Sequence, residues 1–242
     1  MCYSIEIYLS RKTIEERFPV DTSALKDFDF RYFYSAFNNP LLPVITQDSP
    51  DEIQLMQWGL IPHWTRDAEH ASKISRSTYN ARSETIHEKA SFRLPFKSQR
   101  CWVIAHGFFE WQQNNNQKTP WYIKLSNSAP FVFAGLYDSW VDRETGEKLD
   151  TFSVITTKAN PLLEKIHNTK KRMPVILDSK KEKRWISPDL KVSEAKELML
   201  PFPETEMTAY QVSKDIIKRG IDHHDSSIIE PVEYPSGGTL FD

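Results

Sequence analysis

Position 2 is a cysteine, and methionine aminopeptidase removes Met1 when the residue behind it is small. The processed chain then begins with a 1,2-aminothiol. Its free α-amine has a pKa of about 7.7–8.0, so an appreciable fraction is unprotonated and nucleophilic near neutral pH. The neighbouring thiol is the stronger nucleophile once ionised. An amine and a thiol two carbons apart can condense with an aldehyde and close a five-membered thiazolidine ring. The imine alone hydrolyses readily; intramolecular thiol attack captures it at high effective concentration. The competing reading makes Cys2 a small apolar residue at the start of an alternating strand, CYSIEIYL.

Three other residues have chemistry to offer. Glu110 ends the run GFFEW among Phe108, Phe109 and Trp111. A carboxyl against aromatic neighbours has a raised pKa and is suited to proton transfer, although a strand end can also carry an exposed Glu. His167 follows a short helical segment, where a histidine either complements the helix dipole or acts as an acid or base. Asn80, in Tyr79-Asn80-Ala81-Arg82, reads locally as a turn residue. The second cysteine, Cys101, lies in an apolar run and reads as an inert core thiol. Cys2 and Cys101 form no CxxC, and no Cys/His spacing suggests zinc, so no metal is expected. The adjacent pair His223-His224 does not share a face in regular structure.

Elements rich in aromatic and β-branched residues must position these groups. Strands are expected over Glu52–Ile61, Cys101–Trp111, Trp121–Leu125, Phe131–Trp140 and Thr151–Thr157. Polar stretches separate them: QQNNNQKTP, NSAP and DRETGEKLD, the last with the look of a hairpin loop. Thr13-Ile14-Glu15-Glu16 has the form of a capping box and predicts a short helix. Asn160-Pro161 is a good cap and first-turn pair for Leu162–Ile166. Ser179–Trp185 and Ser193–Leu200 read as two further helices, the last ended by Pro201 and Pro203. Strands clustered in the middle, without regular helices between them, predict an α+β fold with a largely antiparallel β-sheet and peripheral helices.

The 242 residues show no internal repeat and no convincing linker, and the expectation is a single domain over 1–242. Apolar residues make up 39% and charged residues 26%, the balance of a globular chain with a packed core. No signal-like or 18-residue apolar run is present, so a cytoplasmic protein with reduced thiols and no membrane partner is expected. The net charge of −2 hides an uneven distribution. Lys158 to Arg184 holds nine Lys/Arg against three Asp/Glu, whereas Pro201 to Asp242 holds eight acids against three bases. A local basic surface of the first kind can attract phosphate.

MCYSI, WGLIPHW (Trp58–Trp64), NARSET (Asn80–Thr85), GFFEW (Gly107–Trp111), FAGLYDSW, VITTKAN, IHNTKKRMPVIL (Ile166–Leu177) and IIEPV (Ile228–Val232) occur in this order. The ordered set resembles the SRAP family of SOS-response-associated peptidases, better described as abasic-site processing proteins. The resemblance implies a barrel-like SRAP fold. It further implies that Cys2 forms a thiazolidine DNA–protein crosslink with the ring-opened abasic site in single-stranded DNA, shielding the lesion during the SOS response. On this reading Asn80 orients the cysteine and the sugar, Glu110 shuttles protons, and His167 assists ring opening and reversal. Arg82, Thr156 and Arg172 match DNA-contact positions, and Trp64 is a candidate to stack on a base beside the lesion. The implied partner is single-stranded DNA containing abasic sites, bound by a nucleoid-associated monomer that needs no small-molecule cofactor.

Two departures stand out. The family usually begins Met-Cys-Gly-Arg with the arginine on DNA, whereas Tyr3 and Ser4 stand here. Four residues, Asn168 to Lys171, separate His167 from Arg172 where the family often has one. The added Lys170 and Lys171 are candidates to restore the lost charge. Two rival readings remain at this point. One is a thiol peptidase using Cys2 or Cys101 with His167. The other is a non-catalytic module that holds single-stranded nucleic acid without the Cys2 amine.

Overall fold

The computed structural model describes residues 2–115 and 117–233. Its strands are β1 (Ser4–Ile7), β2 (Arg31–Ser35), β3 (Leu41–Thr46), β4 (Gln54–Trp58), β5 (Asn80–Arg82), β6 (Arg100–Ala105), β7 (Gly107–Asn114), β8 (Gln117–Leu125), β9 (Phe131–Val141), β10 (Lys148–Lys158), β11 (Arg172–Pro174), β12 (Ile176–Leu177) and β13 (Met207–Gln211). The helices are α1 (Arg11–Arg17), α2 (Ala68–Ser75), α3 (Arg93–Ser98), α4 (Pro161–Ile166), α5 (Ser179–Trp185) and α6 (Val192–Leu198).

Five strands close on themselves in the order β10-β4-β3-β6-β9, with β9 pairing back onto β10. Closure removes the sheet edges that would otherwise need cover. Every pair in the ring is antiparallel except β10–β4. Long β10 also carries β5 and β11, and β9 carries β12. A second, antiparallel sheet runs β13-β8-β7-β1-β2. The architecture is thus the expected α+β fold, barrel-like and largely antiparallel, with helices around it.

The run Cys101–Trp111, expected as one strand, is two. The chain leaves the barrel as β6 and enters the second sheet as β7, turning at His106, whose N–H donates to the Glu6 carbonyl. Gly107 makes the turn feasible: a Cβ there would lie 2.3–2.5 Å from the ring edge and hydroxyl of Tyr122. That ring is fixed by its hydroxyl, which donates to Glu6 Oε2 at 2.9 Å, while His106 Nδ1 lies 2.9 Å from the same oxygen. Glu6 is fully buried, so these partners satisfy a charge that burial would otherwise make very costly.

The hairpins are tighter than their polar composition suggests. β7 runs to Asn114 and β8 restarts at Gln117, so most of QQNNNQKTP is strand; Asn115 supplies a positive φ of 54°. The β9–β10 hairpin encloses DRETGEKLD, with Gly146 at φ 75°. The capping box at Thr13 is corrected: the cap of α1 is Ser10, whose hydroxyl accepts from the Thr13 N–H at 3.0 Å. Asn160 caps α4 as expected, accepting from Leu163 N–H at 2.8 Å with Pro161 in the first turn.

One cluster of buried apolar side chains joins Ile5, Phe108 and Ile123 of the second sheet to Val103, Phe133 and Phe152 of the barrel. A second packs Ile45, Ile104 and Leu136 against Trp185 of α5. Each such side chain contributes about 1.5–3 kcal/mol on burial. Fully buried Arg100 ties helices to the barrel by donating to the carbonyls of Phe96, Lys97, Trp185 and Ser187. Among the described residues no helix is long and apolar enough to cross a membrane.

Candidate functional site

Strand pairing brings the chain start to the chemistry. β1 lies antiparallel to β7 with Ser4 opposite Phe109, which draws the residues ahead of β1 alongside Glu110. On the other side, β5 is held parallel to β10, with Asn80 opposite Val154. The Asn80 side chain is buried and its Nδ2 donates to the Cys2 carbonyl at 2.8 Å. Its Oδ1 is buried without a hydrogen-bond partner among the described residues. An amide held at one end and unsatisfied at the other is a ready acceptor for an amine or hydroxyl brought beside Cys2.

Glu110 is 3% exposed, and burial raises its carboxyl above the ordinary carboxylate range. Its Oε1 lies 3.9 Å from His167 Nδ1. His167 terminates α4, where its N–H donates to the Leu163 carbonyl, and its Nδ1 is 3.0 Å from the Arg172 carbonyl oxygen. A carbonyl can only accept, so Nδ1 carries the proton and Nε2 is the basic nitrogen of the neutral ring. The Cys2 thiol is pushed far above its ordinary value, first by burial and then by the Glu110 charge. Cys101 is also fully buried, in β6, and burial raises its thiol as well.

Glu110 and His167 open into a cleft of about 1040 Å³ whose lining also includes Tyr3, Ser4, Phe37 and Trp111, while Cys2 and Asn80 are buried behind it. Its cations are Lys118, Lys170, Lys218 and Arg219, and Glu110 is its one acid among the described residues. Lys170 comes from the loop between α4 and β11. That loop is pinned to β7 through Asn168, which accepts from Gln113 N–H at 3.1 Å and donates to the Gln113 carbonyl at 2.8 Å. Lys171 sits at a left-handed φ of 50° and bonds Glu164 at 2.6 Å instead of lining the cleft. Of the two added lysines, only Lys170 faces the site.

Three of the expected DNA contacts, Arg82, Thr156 and Arg172, come together on the adjacent strands β5, β10 and β11, and Trp64 does not join them. Arg82 is exposed at the end of β5, and its charge is felt at Tyr3. Thr156 is fully buried, its backbone paired with Arg82 on one side and Pro174 on the other. Arg172 is engaged with neighbours: it donates to Glu84 at 2.6 Å and to the Thr156 carbonyl at 2.5 Å. The Arg172 bonds hold the Glu84 carboxyl below its usual range, against a burial effect of opposite sign. Trp64 is 41% exposed and leans on His70, with ring centroids 6.1 Å apart; it does not line the cleft. The sequence reading missed Phe37, Lys118, Lys218 and Arg219. His223 and His224 diverge, the first bonding the Ile216 carbonyl and the second Asp29 and Asp222.

The geometry defines a class: a buried cysteine at the chain start, oriented by an amide, beside a carboxyl–imidazole pair in a basic cleft. The family of SOS response associated peptidases (SRAP) matches residues 1–219. The abasic site processing protein YoqW of Bacillus subtilis is 38% identical over 216 residues, covering 88% of this chain and 92% of its own. The abasic site processing protein HMCES of Xenopus tropicalis is 36% identical over 150 residues, 54% of this chain and 44% of its own. A crystal structure of a protein from Bacteroides thetaiotaomicron superposes with a TM-score of 0.91 at 38% identity, covering 96% of this chain and all of that one (100%). The chain belongs to the SRAP family.

Proposed function

We propose that this protein processes abasic sites in single-stranded DNA by linking them covalently to Cys2 once Met1 has been removed. Met1 itself lies outside the described residues. The observation that carries the reading is the Asn80–Cys2 hydrogen bond beside the Glu110–His167 pair. The names of the relatives, abasic site processing proteins, support the same substrate.

An abasic deoxyribose is mostly a closed hemiacetal, so a proton donor and acceptor must expose its C1′ aldehyde. Glu110 in its protonated form, which burial favours, gives a proton to the ring oxygen, and His167 Nε2 accepts one from the C1′ hydroxyl. The Cys2 amine then adds to the aldehyde and water leaves, giving an imine. The thiol adds across the C=N bond, sulfur to carbon, and its proton passes to nitrogen. Atoms balance with one water lost and no oxidant or reductant consumed. Thiol capture removes the imine before β-elimination can break the strand. Arg82 and the cleft cations hold phosphates without reading sequence, as a lesion protein requires. The covalent product shields the lesion during the damage response.

The test is incubation of the mature protein with an oligonucleotide carrying one abasic site, followed by denaturation. Wild type is expected to give a stable adduct, and Cys2→Ser is not. A protein with an extra residue retained before Cys2 that still formed the adduct at the wild-type rate would overturn the thiazolidine mechanism.

A further inference from the structure

Phe37 is 65% exposed, the most exposed large apolar side chain among the described residues, yet its ring is packed against two others. Its ring stacks on Tyr3, with centroids 5.1 Å apart at 29°, and meets Tyr79 edge-on at 5.7 Å and 88°. Tyr3 in turn meets Tyr79 edge-on at 6.2 Å, and the Tyr79 hydroxyl lies 3.2 Å from Asn39 Oδ1. Asn39 ends the single turn Ala36–Asn38 at a left-handed φ of 48°, while Ala36 N–H donates to the Tyr3 carbonyl. The chain thus spends a positive-φ residue and three interlocked rings to present one aromatic face to solvent. Aromatic rings bury large apolar area when they pack inward, so an exposed ring fixed this way marks a binding surface.

The surroundings say what binds. Phe37 and Tyr3 line the same cleft as Lys118, Lys170, Lys218 and Arg219. Tyr3 is also the residue next to Cys2. A flat apolar face within a strongly cationic cleft suits a ligand that is both planar and polyanionic, which is a nucleic-acid strand.

We infer that Phe37, backed by Tyr3, is a stacking platform for the nucleobase next to the lesion, with the adjoining phosphates drawn to the four cleft cations. This rests on the proposed substrate and adds to it the feature that holds the strand where position 4 is serine. Ser4 carries no positive charge to offer a phosphate. The platform replaces a charge contact by a stack, and it tolerates any base because every base has a π-face. A lesion-binding protein needs that tolerance.

The test uses a single-stranded oligonucleotide with a tetrahydrofuran abasic analogue, which lacks the aldehyde and so reports binding without crosslinking. Affinity is measured for wild type, Phe37→Ala and Phe37→Trp. Each is repeated with the base on one side of the analogue, then on the other, replaced by a second baseless spacer. Phe37→Ala is expected to weaken binding to the base-flanked oligonucleotide by about 5- to 150-fold, the range for one lost base–aromatic stack. The weakening should largely vanish when the spacer removes the stacked base, and Phe37→Trp should bind as wild type does. Equal weakening on every spacer oligonucleotide would assign Phe37 a structural role and overturn the inference. So would unchanged affinity in Phe37→Ala. Because the analogue cannot react, failure of the platform and failure of Cys2 crosslinking on a true abasic site are read separately.

Discussion

Replacing Asn80 separates orientation from bulk packing at the reactive residue. The side chain donates one buried hydrogen bond of 2.8 Å to the Cys2 carbonyl. Such a bond is worth about 0.5–1.5 kcal/mol net, and stranding its buried acceptor costs about 1–3 kcal/mol. Asn80→Ala should therefore slow crosslinking by about 5- to 150-fold if the bond holds Cys2 in its attacking position. Asn80→Asp should be slower still. An ionised aspartate has no proton to donate and sets a negative charge against the carbonyl, while it draws the nearby amine toward its protonated, unreactive form. The assay is the single-turnover rate of denaturation-resistant adduct formation on single-stranded abasic DNA, with thermal unfolding measured in parallel. A wild-type rate in Asn80→Ala, or a faster reaction in Asn80→Asp than in Asn80→Ala, would refute the orienting role.

Three further outcomes follow from the same geometry. Glu110→Gln should slow adduct formation by about 100- to 10,000-fold, the range for a lost general acid or base. It should also raise the melting temperature near neutral pH: the raised folded pKa means that stability is full below the unfolded value and falls as pH rises through the folded one, and Gln does not ionise. Thermal scans at about pH 4 and pH 8 check this; an advantage for Gln that does not grow with pH would contradict the burial argument. At His106 burial lowers the pKa, but the Glu6 bond prevails and raises it above the ordinary value. Its stabilising contribution is thus present below about pH 6.5 and lost as pH rises through the folded value, so His106→Ala should destabilise by about 1–3 kcal/mol at low pH and less in alkali. Urea titrations at both ends check the sign. Gly107→Ala must push the Tyr122 ring from a 2.3 Å contact and should destabilise by about 1–3 kcal/mol by calorimetry.

Much of this arrangement was legible in the residues themselves. The aromatic frame of Glu110 offered a buried carboxyl against an exposed strand-end Glu, and the structure buries it; the Asn160-Pro161 pair forecast α4 with His167 at its end. What local pattern cannot show is which sheet a strand joins. Cys101–Trp111 reads as one apolar run because both of its halves are buried, β6 inside the barrel and β7 in the second sheet. Asn80 reads as a turn because its strand, β5, has only three residues and exists by pairing with distant β10. Charge counting misled in the same way: Lys218 and Arg219 sit in an acidic tail by sequence, yet folding carries them to the cleft. Lys171, counted with the basic run, is spent on Glu164. Phe37 gave no local signal, since its meaning depends on the rings of Tyr3 and Tyr79 packing behind it.

The central claim concerns the pairing of thiol and terminal amine on Cys2, and intact mass spectrometry with alkylation under denaturing conditions tests it most directly. The adduct should have the mass of the protein without Met1 plus the oligonucleotide, less one water. It should accept a single alkyl group, on Cys101, because the Cys2 sulfur is closed into the ring. Two alkylated cysteines in the adduct, or an adduct that retains Met1, would contradict the account.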